Sequence, residues 1–217
     1  MKYRSILFDL DGTLTDPYPG IKNSIKYSLE KFRIFEEDDS RLKLFVGPPL
    51  EKSFMEFYSF DKKTAQKAIE YYREYFSEKG IYENTLYDGI ENLLRELNGR
   101  NAECVLATSK PLVFARKILA YFHLNTYFKD VMGSGLDGSF TEKEDIISHI
   151  VKKHGINKQD AVMIGDRIYD VAGANKAGID SIAVLYGYGS KEELEIESPK
   201  YLCASVADLL KLLTGEE

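Results

Sequence analysis

Residues 5–16 read Ser5-Ile6-Leu7-Phe8-Asp9-Leu10-Asp11-Gly12-Thr13-Leu14-Thr15-Asp16. The apolar run Ile6-Leu7-Phe8 stops abruptly in acid. A short apolar run closed by turn residues fits a strand buried on both faces of a parallel sheet. Asp9 and Asp11 are two residues apart, and strand pleating puts such positions on one side, so both carboxylates can address one point. Gly12 lets the backbone turn where a side chain would interfere. Converging carboxylates repel and need a cation, a shared proton or separate roles. A surface turn would explain Asp11-Gly12 alone. It would not explain acid ending an apolar strand, nor the similar ending at Gly165-Asp166.

Downstream, Asp16-Pro17 is a helix-start signal, and Ile21, Ile25, Leu29 and Phe32 follow at helical spacing. Residues 36–40 read as a solvated acidic connection, and Val46-Gly47-Pro48-Pro49-Leu50 as a rigid loop. Leu50, Phe54 and Phe57 suggest a short helix. Asp61 caps another that carries Ala65, Ala68, Ile69, Tyr72 and Phe76 on one stripe, closed by Gly80. Its aromatic residues read as core. No strand pattern occurs from 16 to about 84.

The texture then changes. Strands are expected at 102–107, 131–132, 161–164 and 181–185, alternating with helices at about 90–98, 112–122, 142–154, 170–177 and 205–213. Such alternation predicts an α/β fold, a Rossmann-like parallel sheet with helices on both faces. The helical block interrupts it as an inserted cap. The expected division is core at 1–15 and 85–217, with an all-helical cap at 16–84.

The 217 residues include 29 basic and 35 acidic side chains, a net charge of −6, which argues against nucleic acid or an anionic membrane as the main partner. Cys104 lies in an apolar run and Cys203 stands alone, which gives neither a disulfide framework nor zinc-ligand spacing. No stretch has signal-peptide or transmembrane character, so a cytoplasmic location is expected.

Ligands of an open parallel sheet bind beyond the carboxyl ends of its strands, where the strand order reverses. The polar strand-ends supply Asp9 and Asp11, then Thr108 and Ser109, then Lys143 after a Gly-Ser loop, then Asp166 and Asp170. Carboxylates suit Mg²⁺, which takes one or two of them together with phosphate oxygens. A hydroxyl, a lysine and backbone N–H groups suit the phosphate itself. One Asp can attack phosphorus and a second can manage the proton. A cation is required, because a bare carboxylate repels a phosphate dianion.

Phe8-Asp9-Leu10-Asp11-Gly12-Thr13-Leu14, Leu106-Ala107-Thr108-Ser109, Lys143 and Gly165-Asp166-Arg167-Ile168-Tyr169-Asp170 resemble the four motifs of the haloacid dehalogenase superfamily. Thr108-Ser109-Lys110-Pro111 and the 46–50 loop resemble its phosphoglycolate phosphatase-like branch, which also holds nucleotidases. The resemblance implies Asp9 as nucleophile and Mg²⁺ ligand. It implies Asp11 as general acid/base that also gives its backbone carbonyl to the metal. Thr108 and Lys143 would hold the phosphoryl group, Asp166 would ligate the metal, and Asp170 would do so more weakly or through water. Asp11 favours phosphate transfer over dehalogenation. Ser109, Lys110, Arg41 and Lys43 are the expected substrate contacts. Pro17 and Ser109 depart from the residues common in relatives, Ser and Asn, which bears on substrate fit.

The expected activity is hydrolysis of a small phosphorylated metabolite, such as phosphoglycolate or a nucleoside monophosphate, through an aspartyl-phosphate. A phosphomutase or phosphonate hydrolase on the same scaffold is the alternative. A non-catalytic phospho-receiver ranks below both, since receivers are shorter and lack the insertion. Oligomeric state is not readable from these residues.

Overall fold

The computed structural model describes residues 1–215. In chain order the strands and α-helices are β1 (Ser5–Phe8), β2 (Thr15–Asp16), α1 (Tyr18–Glu30), α2 (Asp39–Lys43), α3 (Leu50–Tyr58), α4 (Lys62–Tyr75), β3 (Thr85–Leu86), α5 (Ile90–Gly99), β4 (Glu103–Pro111), α6 (Leu112–Tyr121), β5 (Asp130–Ser134), α7 (Lys143–His154), β6 (Ala161–Gly165), α8 (Ile168–Ala177), β7 (Asp180–Val184), α9 (Lys191–Glu195), β8 (Tyr201–Cys203) and α10 (Val206–Thr214). They form two compact units. One comprises Met1–Thr15 and the described residues from Leu86 onward, the other Asp16–Thr85.

The first unit holds a six-stranded parallel sheet in the order β5-β4-β1-β6-β7-β8. This is the expected α/β architecture. The chain builds outward from β1 first to β4 and β5, then back across β1 to β6, β7 and β8, so the order reverses at β1. Every residue of β1 is buried, and both neighbours share its register: Phe8 stands opposite Leu106 and Ile164. Asp9 therefore stands level with Ala107 and Gly165, and Thr108 and Asp166 follow one position later at the same carboxyl edge. Leu7, Val105, Ala107, Ala161 and Met163 point to one face, where Ile146, Ile147 and Ile150 of α7 and Ala174 and Ala177 of α8 cover them. Alternate residues of the same strands are equally buried, with α5 and α6 packed on β4.

Strand β4 is longer than its apolar run. Ala107 pairs with Met132 and Pro111 with Ser134, so β4 carries two extra residues there, a bulge made of Thr108, Ser109 and Lys110. Bulges re-aim side chains beside functional sites, and this one falls on the second polar strand-end.

The second unit is helical. Helix α1 packs on α4 and α3 on α4, with Ile21, Ile25, Leu29, Ala65, Ala68 and Tyr72 buried. Tyr72 and Phe76 of the aromatic stripe are buried as expected, and Phe45 meets Phe54 and Phe57 at ring-centroid distances of 5.1 and 5.4 Å, whereas Phe35 and Tyr82 are exposed. The acidic connection at 36–40 runs into α2, capped by Asp38, whose side chain accepts the Ser40 N–H. Helix α1 begins after Pro17, and Asp16 serves its start from one residue earlier, accepting the Tyr18 N–H at 3.0 Å. The short elements α9 and β8 had no counterpart in the sequence reading.

Candidate active site

The first unit brings eight of the sequence-predicted residues to one edge of the sheet: Asp9, Asp11, Thr108, Ser109, Lys110, Lys143, Asp166 and Asp170. The centre is Lys143, at the start of α7. Its side chain is 5% exposed, and its ammonium lies 2.7 Å from Asp9 Oδ1 and 2.7 Å from Asp170 Oδ1. It also donates to the Ala107 carbonyl at 2.8 Å. Both distances are those of charge-assisted ion pairs, and each carboxylate oxygen has a further lone pair to offer. Burial pushes the Lys143 ammonium toward neutrality, but Asp170 and Asp9 outweigh that and hold it above its ordinary value.

Asp166 is fully buried at the end of β6. The Thr13 hydroxyl donates to Oδ1 at 3.1 Å and the Tyr188 N–H to Oδ2 at 2.9 Å. Burial, then the charges of Asp170 and Asp9, push its carboxyl well up, against those two hydrogen bonds. Asp170, in the first turn of α8, accepts the Arg167 N–H at 3.1 Å. Burial raises it too, opposed by Lys143. Asp11 pairs with Lys110, whose ammonium sits 2.6 Å from Oδ2. Burial raises Asp11, and Lys110 pulls it back. Gly12 has φ of +83°, and a Cβ there would fall 2.1 Å from Asp166 Oδ2. The turn after β1 thus closes onto the carboxylate of β6 only because residue 12 lacks a side chain.

Thr108 is 2% exposed, and its hydroxyl accepts the Lys110 N–H at 3.3 Å across the bulge. The Ser109 hydroxyl donates to the Thr141 carbonyl at 3.0 Å, tying the bulge to the loop that leads into Lys143. Arg41 and Lys43 lie in the other unit, on α2. Arg41 Nη1 is 3.0 Å from Glu36 Oε2, and Lys43 Nζ is 3.1 Å from Asp39 Oδ2.

Four carboxyls, Asp9, Asp11, Asp166 and Asp170, face two ammoniums, so with all of them ionised the buried site carries two negative charges in excess. Oxygens of Asp9, Asp166 and Asp170 lie within 4.8 Å of one another. Asp11 Oδ1 is buried with no hydrogen-bond partner. An all-oxygen donor set with that surplus charge fits a hard divalent cation.

Thr13 stood in the first motif without a role of its own, and Tyr186, Gly187 and Tyr188 escaped the sequence reading. Tyr186 donates its hydroxyl to the Thr13 carbonyl at 3.0 Å. The signal was the Tyr-Gly-Tyr-Gly stretch at 186–189, one residue past the end of β7 at the same edge.

Comparison with known proteins places this geometry. The family model described as "Haloacid dehalogenase-like hydrolase" matches residues 6–184. A 5'-nucleotidase of Pseudomonas aeruginosa is 46% identical over 98% of this chain and 96% of its own. The crystal structure of a predicted phosphatase from Clostridium acetobutylicum superposes with a TM-score of 0.94 at 52% identity, covering 99% of this chain and 100% of that one. The protein tyrosine kinase PtkA of Mycobacterium tuberculosis is 34% identical over 88% of this chain and 65% of its own.

Proposed function

The chain belongs to the haloacid dehalogenase-like hydrolases and is a phosphatase of that family, and from that premise we propose a Mg²⁺-dependent phosphomonoesterase that works through an aspartyl-phosphate on Asp9. The observation that carries the reading is the convergence of Asp9, Asp11, Thr108, Lys143, Asp166 and Asp170 at the point where the strand order reverses. Asp9, Asp166, Asp170 and the Asp11 backbone carbonyl would hold the cation. When bound, it supplies the positive charge that lets a phosphate dianion approach a carboxylate.

Asp9 attacks phosphorus, and the bond from phosphorus to the leaving oxygen breaks. Asp11 gives that oxygen a proton. Thr108 and Lys143 hold the non-bridging oxygens, whose charge is distributed through the transition state. Asp11 then takes a proton from water, which attacks the acyl phosphate and frees Asp9. Lys110 stands beside Asp11 and is suited to pair with the anionic substrate. Arg41 and Lys43, on the helical unit, are the side chains we propose for selecting the leaving group.

Nucleoside 5'-monophosphates are the proposed substrates, supported by the near full-length similarity to a protein named 5'-nucleotidase. The test is phosphate release from nucleoside monophosphates, 2-phosphoglycolate and an aryl phosphate, with Mg²⁺ and with EDTA. The expected result is a kcat/KM for nucleotides at least about tenfold above that for 2-phosphoglycolate, and loss of all activity in EDTA. Preference for 2-phosphoglycolate would overturn the substrate reading. Turnover in EDTA would overturn the mechanism, and so would a stable acyl phosphate without release. Lys43→Ala is expected to raise KM by about tenfold with little change in kcat, the effect of removing one charge-assisted hydrogen bond from the bound state.

A further inference from the structure

The stretch 186–193 runs from the loop after β7 into α9 and contacts both the segment 166–168 and the turn after β1 that holds Gly12 and Thr13. The Tyr188 N–H donates to Asp166 Oδ2 at 2.9 Å, and the Gly189 N–H donates to the Asp166 carbonyl at 3.1 Å. Tyr186 Oη donates to the Thr13 carbonyl at 3.0 Å, and Thr13 Oγ1 holds the other Asp166 oxygen at 3.1 Å. The backbone of Gly187 lies so close that a Cβ would fall 2.3 Å from Asp166 Cβ and 2.4 Å from the Gly12 carbonyl. Glu193 Oε1 accepts from Arg167 Nε at 2.8 Å and from the Ile168 N–H at 3.1 Å, anchoring the start of the helix that carries Asp170.

Each Asp166 oxygen is thus fixed by one protein donor, and a carboxylate oxygen has a second lone pair to offer. Partners of this kind orient a ligating carboxylate and are worth about 10–100-fold in metal affinity. We propose that 186–193 is a collar that orients the Asp166 and Asp170 carboxylates for a divalent cation, with Tyr186 and Glu193 as positioning residues for metal binding. The proposal rests on the metal reading above and adds to it how the ligands are held. Tyr186 acts through Thr13, and Glu193 through Arg167 and Ile168, rather than on substrate.

The test is calorimetric titration of the metal-free protein with Mg²⁺, and with Mn²⁺ followed by electron paramagnetic resonance. It is run at a temperature where circular dichroism shows each variant folded. Tyr186→Phe and Glu193→Gln are expected to bind both ions about tenfold more weakly. Glu192→Gln, exposed on the same helix, is expected to match wild type. Gly187→Ala is expected to lose binding; should it not fold, Tyr186→Phe still decides. Wild-type affinity in both Tyr186→Phe and Glu193→Gln would overturn the collar while leaving the metal reading intact. A wild-type protein that binds neither ion would overturn that reading and the collar with it.

Discussion

Asp9→Asn is expected to lower the turnover of an aryl phosphate by about 10⁴-fold or more, the scale seen when a covalent nucleophile is removed, while the metal-free protein becomes no less stable. The two halves of this expectation have one cause. Asn keeps the volume of Asp and removes its charge, so nothing remains to attack phosphorus. Meanwhile the Asp9 charge presses on three buried carboxylates, raising Asp11, Asp166 and Asp170. Removing it relieves all three, and Lys143 keeps Asp170 as a partner at 2.7 Å. A site that must crowd carboxylates for chemistry carries that repulsion as a cost to folding. The measurements are single-turnover kinetics with Mg²⁺ and chemical denaturation in EDTA. Residual activity within tenfold of wild type would remove Asp9 from the reaction, and a marked loss of stability would show that its charge supports the fold.

How much of this was legible in the chain follows from where each contribution resides. Ile6-Leu7-Phe8 and 161–164 announce themselves because strands buried on both faces have no polar alternation to hide in. Their acidic endings are side chains, and side chains are what a sequence displays. The Thr108–Lys110 bulge was half visible. Thr-Ser-Lys-Pro read as the end of a strand, yet the strand runs on to Pro111, and only the register against Met132 and Ser134 reveals two extra residues. The segment 186–193 was only partly legible: Tyr186 and Glu193 act through side chains the sequence displays, but Tyr188 and Gly189 contribute backbone N–H groups and Gly187 the absence of a side chain. Helix α9 and strand β8 were missed because five and three residues are too few to establish a period. Lys143 was legible as a site residue from its place after the Gly-Ser loop and from the resemblance, while its neighbours Glu142, Glu144 and Asp145 alone would suit a solvated charge. Burial beneath two carboxylates is a property of the fold, which its neighbours in the chain do not encode.

That burial makes Lys143 the position where a substitution should cost the most. Lys143→Met preserves the length and apolar stem of the side chain, so packing beside Gly173 changes little. The ammonium is lost, however, and with it the ion pairs to Asp9 and Asp170 at 2.7 Å each and the hydrogen bond to the Ala107 carbonyl. Breaking a buried pair from one side costs about 3–5 kcal/mol, because the partner charge remains without compensation. Here two partners remain, so the upper part of that range is expected in EDTA at pH 7.5. The pH dependence follows from the sign of the shifts. Asp166 and Asp170 already sit above their ordinary values in the folded protein, and losing Lys143 raises Asp170 further. An acid raised on folding favours the folded state below its unfolded value near 4, and that contribution is lost as pH rises through the folded value. Lys143→Met should therefore recover part of its deficit at pH 5.5, and part again on adding Mg²⁺ at pH 7.5 through preferential binding to the folded state. Phosphatase activity should not return under either condition, since the phosphoryl oxygens have lost their cationic partner. Denaturation midpoints for wild type and variant at the two pH values, with and without Mg²⁺, decide it. A deficit that does not narrow at pH 5.5 would mean that the lysine stabilises by packing and not by charge.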